Sequence, residues 1–253
     1  MGKVKIKRKS TLIDMTAMSD VTVLLLTFFM LTSTFLQKEP VTVITPSSVS
    51  EIKVPTSNVV NVLVSPAGQV FLGIAGDADP DNAEKWGSEA VRGEVLRTVA
   101  ADYKAKTGKD AGITNVDILK FQKNATFGVP IEKMHEFLML DQTKQDEFLG
   151  QTANKPVIIG SLKPSDVGIP FKEIVYKDEA GNSLVTNEFQ MWMRAIYNSD
   201  NTNIHDAIQK GEGIAVKSDR GTKYETIQKV LDNLQTIKMN KFSVMTALKT
   251  EAD

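Results

Sequence analysis

Residues 20–36, DVTVLLLTFFMLTSTFL, place one carboxylate directly before a long uncharged and mostly apolar run. No charged residue follows Asp20 until Lys38, and Asp14 is the one other charge between residues 12 and 37. A membrane-spanning helix needs about 20 predominantly apolar residues. The sequence therefore predicts a transmembrane helix over residues 12–37.

A basic block directly precedes this run. Its charges are Lys3, Lys5, Lys7, Arg8 and Lys9. Because positive charge marks the cytoplasmic side of a span, residues 1–11 are predicted to be a cytoplasmic tail and the chain after about Pro40 to lie outside. The block is also suited to bind anionic lipid headgroups, or a cytoplasmic part of a partner protein. A cleaved signal peptide is disfavoured, because the apolar run exceeds the usual 7–15 residues and no small-x-small cleavage site follows.

Asp20 is the candidate functional residue of this helix. Ionisable side chains inside a membrane are costly, and an acid there is by default a functional-site hypothesis. The alternative is an acid at the membrane edge that reaches back to the headgroups. Thr16, Thr27 and Thr34 fall near one stripe with Asp20 at helical pitch, although threonine hydroxyls also bond to carbonyl groups of their own helix.

Composition excludes several functional classes. The 253 residues have a net charge of −1 with 24% charged residues, and no basic excess outside the N-terminal block suggests nucleic acid. Cysteine is absent, which excludes disulfides and thiolate chemistry. We expect ordinary surface roles for His135 and His205. No nucleophile elbow, phosphate loop or metal-ligand cluster is present, so no cofactor or metal is expected.

The segment after the apolar run predicts a linker and a hairpin. Residues 38–57 are β-branched and contain Pro46 and Pro55, which block a helix, so they are predicted to be an extended linker. Residues 59–64 and 70–74 are apolar runs on either side of the turn sequence SPAG, which predicts a β-hairpin.

Residues 213–248 predict a β-α-β unit. Residues 214–216 and 242–248 read as strands, and Thr222 and Glu225 have the spacing of a helix capping box. The apolar residues of the predicted helix are Tyr224, Ile227, Val230, Leu231 and Leu234. Together with the hairpin, this unit predicts a small α+β domain over residues 58–253, with helices on one face of a sheet.

The middle of the chain, about residues 77–186, follows no simple pattern. Helices are predicted over residues 88–106, 131–148 and 187–197, whereas ITNVDILKF and KPVIIGSL read as strands or buried extended segments. The expected core residues of the helices are Val91, Val95, Leu96, Val99, Phe189, Met193 and Ile196.

Two segments resemble the ExbD/TolR family. Residues 13–35 resemble its N-terminal helix, in which an I-D/N-x-T-P-x-x-D segment enters the membrane and the last acid carries protons. The matching residues are Ile13, Asp14, Thr16 and Asp20. Ala17 replaces the usual proline, and Ser19 replaces an apolar residue. Residues 214–248 resemble the family's ending, with Lys217, Asp219, Tyr224 and Val230 in corresponding places, and the hairpin fits its first two strands.

The resemblance implies a motor subunit rather than an enzyme. Asp20 would carry protons, supported by the polar residues Asp14, Thr16, Thr27 and Thr34. Asp14 would cap the helix or make its start polar, with a direct relay role as the alternative. The resemblance further implies an inner-membrane protein of a Gram-negative bacterium with a periplasmic α+β domain. Residues 77–186 would be a mixed α/β insertion in that domain.

The implied partners are a polytopic ring protein of the ExbB/TolQ type, a second ExbD-like chain in a homodimer or heterodimer, and a transducer. A TonB-like transducer for nutrient import is favoured because the chain ends soon after its last predicted strand, and a TolR-like role in envelope integrity is the alternative. Other hypotheses are a non-motor anchor whose outer domain binds a partner, and an enzyme whose groups lie in the insertion. A flagellar-type stator would share the membrane acid but should end in a peptidoglycan-binding domain.

Overall fold

The computed structural model describes residues 15–32, 43–45, 47–48, 57–77, 87–150, 157–178, 180–245 and 247–248. The chain divides into two compact units, Met1–Gln37 and Lys38–Asp253.

The first unit contains helix α1, Met15–Thr32. Its side chains from Met18 to Thr32 are exposed. Across the described residues, none of the helices combines the length and the apolar character needed to cross a membrane. The predicted span over residues 12–37 begins and ends outside the described part of the chain, and it stays a prediction.

The second unit is built on a five-stranded mixed sheet. Its strands are β2 (Val59–Val64), β3 (Val70–Ala75), β4 (Thr126–Phe127), β7 (Ile214–Ser218) and β8 (Ser243–Met245), in the order β4-β3-β2-β7-β8. Two smaller pairs accompany it, a parallel pair of β1 (Ser47–Ser48) with β9 (Ala247–Leu248) and an antiparallel ribbon of β5 (Glu173–Lys177) with β6 (Ser183–Asn187).

The predicted hairpin is confirmed. β2 and β3 pair antiparallel, with Val64 opposite Val70 at the turn. Gly68 has a positive φ of 80°, which glycine adopts without strain, and its N–H donates to the carbonyl of Ser65. The turn sequence therefore fixed the register of the strand pair.

The C-terminal β-α-β unit is also confirmed, with corrections in detail. β7 and β8 are parallel and are joined by α8, Tyr224–Thr236. The capping box is wrong, because α8 begins after Lys223 without a side-chain cap and the Thr222 hydroxyl instead donates to the carbonyl of Ser65 at 3.1 Å. Tyr224 is 73% exposed, so it does not belong to the buried face, whereas Val230 and Leu234 are fully buried.

Seven α-helices are described in the second unit. They are α2 (Ser88–Thr107), α3 (Asn115–Lys123), α4 (Ile131–Met139), α5 (Gln142–Phe148), α6 (Glu188–Tyr197), α7 (Thr202–Lys210) and α8, together with a 3-10 turn at Pro164–Asp166. α2 and α6 confirm the predicted helices, and their expected core residues are all buried.

Three predictions for the middle segment are wrong. The single helix predicted over residues 131–148 is two helices, interrupted where Leu140 is extended and Asp141 caps α5. ITNVDILKF is helical from Asn115, because Thr114 and Asp117 form a capping box. In KPVIIGSL, the described residues 157–162 contain only an isolated bridge between Ile159 and Leu162 instead of a strand.

The centre of the sheet is buried on both faces. Adjacent strand residues point to opposite faces, and in β2 Val62, Leu63 and Val64 are all at most 3% exposed. The prediction of helices on one face is therefore too simple, although the mixed α+β class is confirmed. Arg92 of α2 links this helix to the sheet edge, because its buried guanidinium donates to the carbonyl groups of Ile74 and Gln122.

A matched pair of leucines tests this core. Leu72 in β3 is fully buried, whereas Leu119 in α3 is 62% exposed. We expect Leu72→Ala to lower the free energy of unfolding by about 2–5 kcal/mol, because it leaves a cavity. Leu119→Ala should change it by at most about 0.5 kcal/mol. Urea titrations followed by circular dichroism measure both, and equal losses would contradict the assigned core.

Candidate functional site

Asp20 lies in the second turn of α1, and its side chain is exposed. It is the one ionisable residue between Met15 and Thr32. Leu24 and Thr27 follow it on the same helix face at i+4 and i+7. The Thr27 hydroxyl donates to the Leu24 carbonyl at 2.9 Å, so this threonine satisfies its polar group inside the helix.

The other predicted membrane residues are only partly covered by the structure. Thr16 is in α1, but its side chain lies outside the described part of the chain. Asp14 and Thr34 both lie outside the described residues. The polar stripe therefore stays a prediction, with Asp20 and Thr27 as its two described members.

Asp219, one of the family-like C-terminal residues, organises the start of the second unit. Its Oδ2 accepts a hydrogen bond from the Ile44 N–H at 2.7 Å, and its Oδ1 accepts from the Gly221 N–H at 2.7 Å. The carbonyl of Ile44 in turn accepts from the Arg220 N–H. Asp219 thus fixes part of the predicted linker beside the end of β7.

A second polar pair, which the sequence did not predict, joins α3 to α4. The Nδ1 atom of His135 lies 2.7 Å from Oδ2 of Asp117, which also accepts from Thr114, and Oδ1 of Asp117 is buried without a partner among the described residues. Burial alone would raise the pKa of Asp117, but the hydrogen bonds from His135 and Thr114 outweigh it and the pKa is lowered. The expectation of an ordinary surface role for His135 is therefore wrong.

Glu188 is a third polar group that sequence reasoning missed. It is the first residue of α6 and is 5% exposed. Its Oε1 accepts from the Ile131 N–H at 2.8 Å, which satisfies a free donor at the start of α4, and from the Trp192 indole at 3.2 Å. Burial raises the pKa of Glu188 to about 7, even though both donors oppose this shift.

Of these polar groups, Asp117 could have been identified from the sequence. Thr114 and Asp117 have the T-x-x-D spacing of a capping box, which could have revealed both the helix and the buried carboxylate. Glu188 had no such signal, because its burial depends on Ile131, 57 residues earlier.

The comparison with known families covers Asp20 and the first hairpin. The family model described as "Biopolymer transport protein ExbD/TolR" matches residues 7–117, a little under half of the chain. Residues 7–117 are therefore similar to ExbD/TolR proteins. ExbD/TolR proteins are non-enzymatic transport subunits of the inner membrane. No curated protein and no solved structure matches the chain.

The ExbD/TolR match does not confirm the predicted insertion. It extends through α2 to Asp117 in α3, into residues that were assigned to the insertion over about 77–186. It ends before residues 214–248, where the second resemblance was placed. α2 therefore belongs to the matched segment and packs on β3 of its hairpin.

Glu188 gives the outer unit a predicted pH dependence. Between the ordinary pKa of 4.5 and about 7, the native state binds more protons at this site than the unfolded state. Stability should therefore fall as the pH rises through this range, by a total on the order of 3 kcal/mol at about 1.4 kcal/mol per pKa unit. Glu188→Gln, which keeps an acceptor oxygen without the titration, should remove this decrease.

The measurement is the free energy of unfolding of wild type and variant at pH 5 and pH 8. Glu173→Gln is the matched control, because Glu173 is an exposed acid of β5. Equal pH dependence in wild type and Glu188→Gln would show that Glu188 does not titrate in this range.

Proposed function

We propose that this chain is the proton-carrying subunit of an inner-membrane motor complex and that Asp20 is its proton carrier. The observation that carries the proposal is the ExbD/TolR match over residues 7–117, which includes α1 and its single acid. The apolar exposed surface of α1 supports it further, because such a surface requires lipid or a partner protein to cover it.

The proposed mechanism depends on the different protonation of a carboxyl group in apolar and in hydrated surroundings. Apolar surroundings favour the neutral form of a carboxyl group, and a hydrated polar path favours the ionised form. If Asp20 alternates between the two, a proton enters from the periplasm and leaves to the cytoplasm. A single helix offers no such path, because the hydroxyl groups of its described threonines, Thr22, Thr27 and Thr32, are bonded to carbonyl groups of the same helix.

Partner chains must therefore supply the hydrated polar path for the proton. We propose a ring of an ExbB/TolQ-like polytopic protein around two copies of this chain, or around this chain and an unlike copy. The N-terminus is cytoplasmic and the second unit is periplasmic in this arrangement. Proton flow would turn the ring and the pair of chains relative to each other, and the periplasmic unit would pass force to a TonB-like transducer for nutrient import.

Replacement of Asp20 by Asn tests the carrier. The amide keeps the size of the side chain and removes its titration, so energised uptake across the outer membrane should fall at least about tenfold while the complex still assembles. The measurement is uptake in cells whose only copy is the variant, together with co-purification of the ring protein. Asp14→Asn is the matched control, because the resemblance implies a capping role for Asp14 and asparagine is as good a helix cap as aspartate.

Normal uptake together with normal detergent resistance of the envelope, in an assembled Asp20→Asn complex, would contradict the carrier role. Failure of the wild-type chain to co-purify with any polytopic protein would favour a non-motor anchor. Normal uptake combined with detergent sensitivity of the envelope would identify the Tol-type alternative, in which a TolA-like transducer receives the force.

A further inference from the structure

A cleft of about 380 Å³ opens in the second unit between α2, the start of α4, the segment leading into β5 and the start of α6. Its volume lies at the lower end of the range of small-molecule sites. Pro130 and Pro170 form rigid parts of its wall, and Ile174 and Val175 supply apolar surface. The described contacts show no role for this cleft in the packing of the sheet.

Glu188 lines this cleft with its carboxyl group held in place. The Ile131 N–H and the Trp192 indole both donate to Oε1, so the side chain cannot turn away without leaving two donors unpaired. Within the described residues, no lysine, arginine or histidine forms an ion pair with Glu188. A buried carboxylate without a cation is costly, and a positively charged ligand would compensate it.

Two of the three lysines around the cleft already have acidic partners. Lys106 pairs with Asp102 at 2.6 Å, and Lys109 pairs with Glu132 at 3.0 Å. Glu132 also accepts from the Tyr103 hydroxyl at 2.6 Å. These pairs neutralise part of the positive charge around the cleft, and Glu188 itself has no cationic partner among the described residues.

We propose that this cleft binds a small organic molecule through its primary ammonium group, with the Glu188 carboxylate as the acceptor. A compact ammonium group has three donors, and the volume suits a short aliphatic or amino-acid-sized molecule. Ile174 and Val175 would contact the aliphatic part. This site is separate from Asp20, and the proposal does not depend on the proposed motor function.

Proton binding should compete with the ammonium group. The groups that face Glu188 are Tyr103 and Lys106 of α2, Lys109 after it, Glu132 of α4, and Lys172 and Glu173 at β5. Burial raises the pKa of Tyr103 to about 12, and the hydrogen bonds from Tyr103 and Lys109 lower the pKa of Glu132. Glu188 is thus the carboxyl group whose ionisation changes near neutral pH, and a ligand cation favours its ionised form.

The test uses the full chain in detergent micelles, labelled with ¹⁵N and titrated with n-butylammonium chloride. The indole N–H of Trp192 reports directly, because it donates to the acceptor carboxylate. Trp86→Phe assigns its signal, since the chain has two tryptophans. We expect a saturable shift of this signal with n-butylammonium and none with n-butanol, which has the same chain and no charge.

Two variants and a pH titration distinguish binding at this site from a general effect of salt. Glu188→Gln keeps the hydrogen-bond acceptor and removes the charge, so it should weaken binding at least about tenfold at pH 8. Glu225→Gln, at an exposed acid of α8 that does not line the cleft, should change binding less than about threefold. In the wild type, the dissociation constant should rise about tenfold per pH unit below about pH 7, and this profile needs no variant to fold.

An equal response to n-butanol, or a dissociation constant that stays constant from pH 8 to pH 5.5, would overturn the proposal. Unchanged n-butylammonium binding by a folded Glu188→Gln variant would overturn it as well. Since Asp20→Asn leaves this cleft intact, loss of motor activity in that variant with normal amine binding would separate the two proposals.

Discussion

The parallel pairing of β2 with β7 is the interaction on which the rest of the second unit depends. It places Val60 opposite Ile214 and Val64 opposite Ser218, so the first hairpin and the C-terminal β-α-β unit become one sheet. Backbone groups in these buried strands have no access to water and must find their partners in the ladder. Parallel strands also require a crossover connection, which here contains α2 to α7. The cleft, Asp117 and Glu188 are features of that crossover.

Local sequence patterns predicted the secondary structure correctly where the contacts that stabilise an element lie close together in the sequence. The two apolar runs and the SPAG turn predicted β2 and β3, and helical spacing predicted α2, α6 and α8. Predictions from local patterns failed at the start of α8 and in the segment ITNVDILKF. Thr222 does not cap α8, because the helix begins after Lys223, and its hydroxyl donates to the Ser65 carbonyl that the β2–β7 pairing brings beside it. ITNVDILKF is short and rich in β-branched residues, and such runs do not distinguish a strand from a buried helix.

The sequence distance between a residue and its contacts also decided which candidate site residues could be predicted. Asp20 could be singled out from sequence because it directly precedes a long uncharged and mostly apolar run. Glu188 could not, because the groups that bury it and bind it come from α2, α4 and β5, which only the fold brings together. His135 is an intermediate case, since its partner Asp117 is 18 residues away and carries a helix-capping signal of its own.

Asp20 and Glu188 show two opposite ways in which a chain can use a titratable carboxyl group. Glu188 has two fixed donors, so its orientation is set by the fold and movement would leave buried N–H groups unpaired. Such a group suits a binding site, where the ligand arrives at a prepared acceptor. A proton carrier must instead exchange between two environments, and fixed donors would hold it in one of them. The exposed position of Asp20 on α1 is compatible with the carrier role that we propose for it.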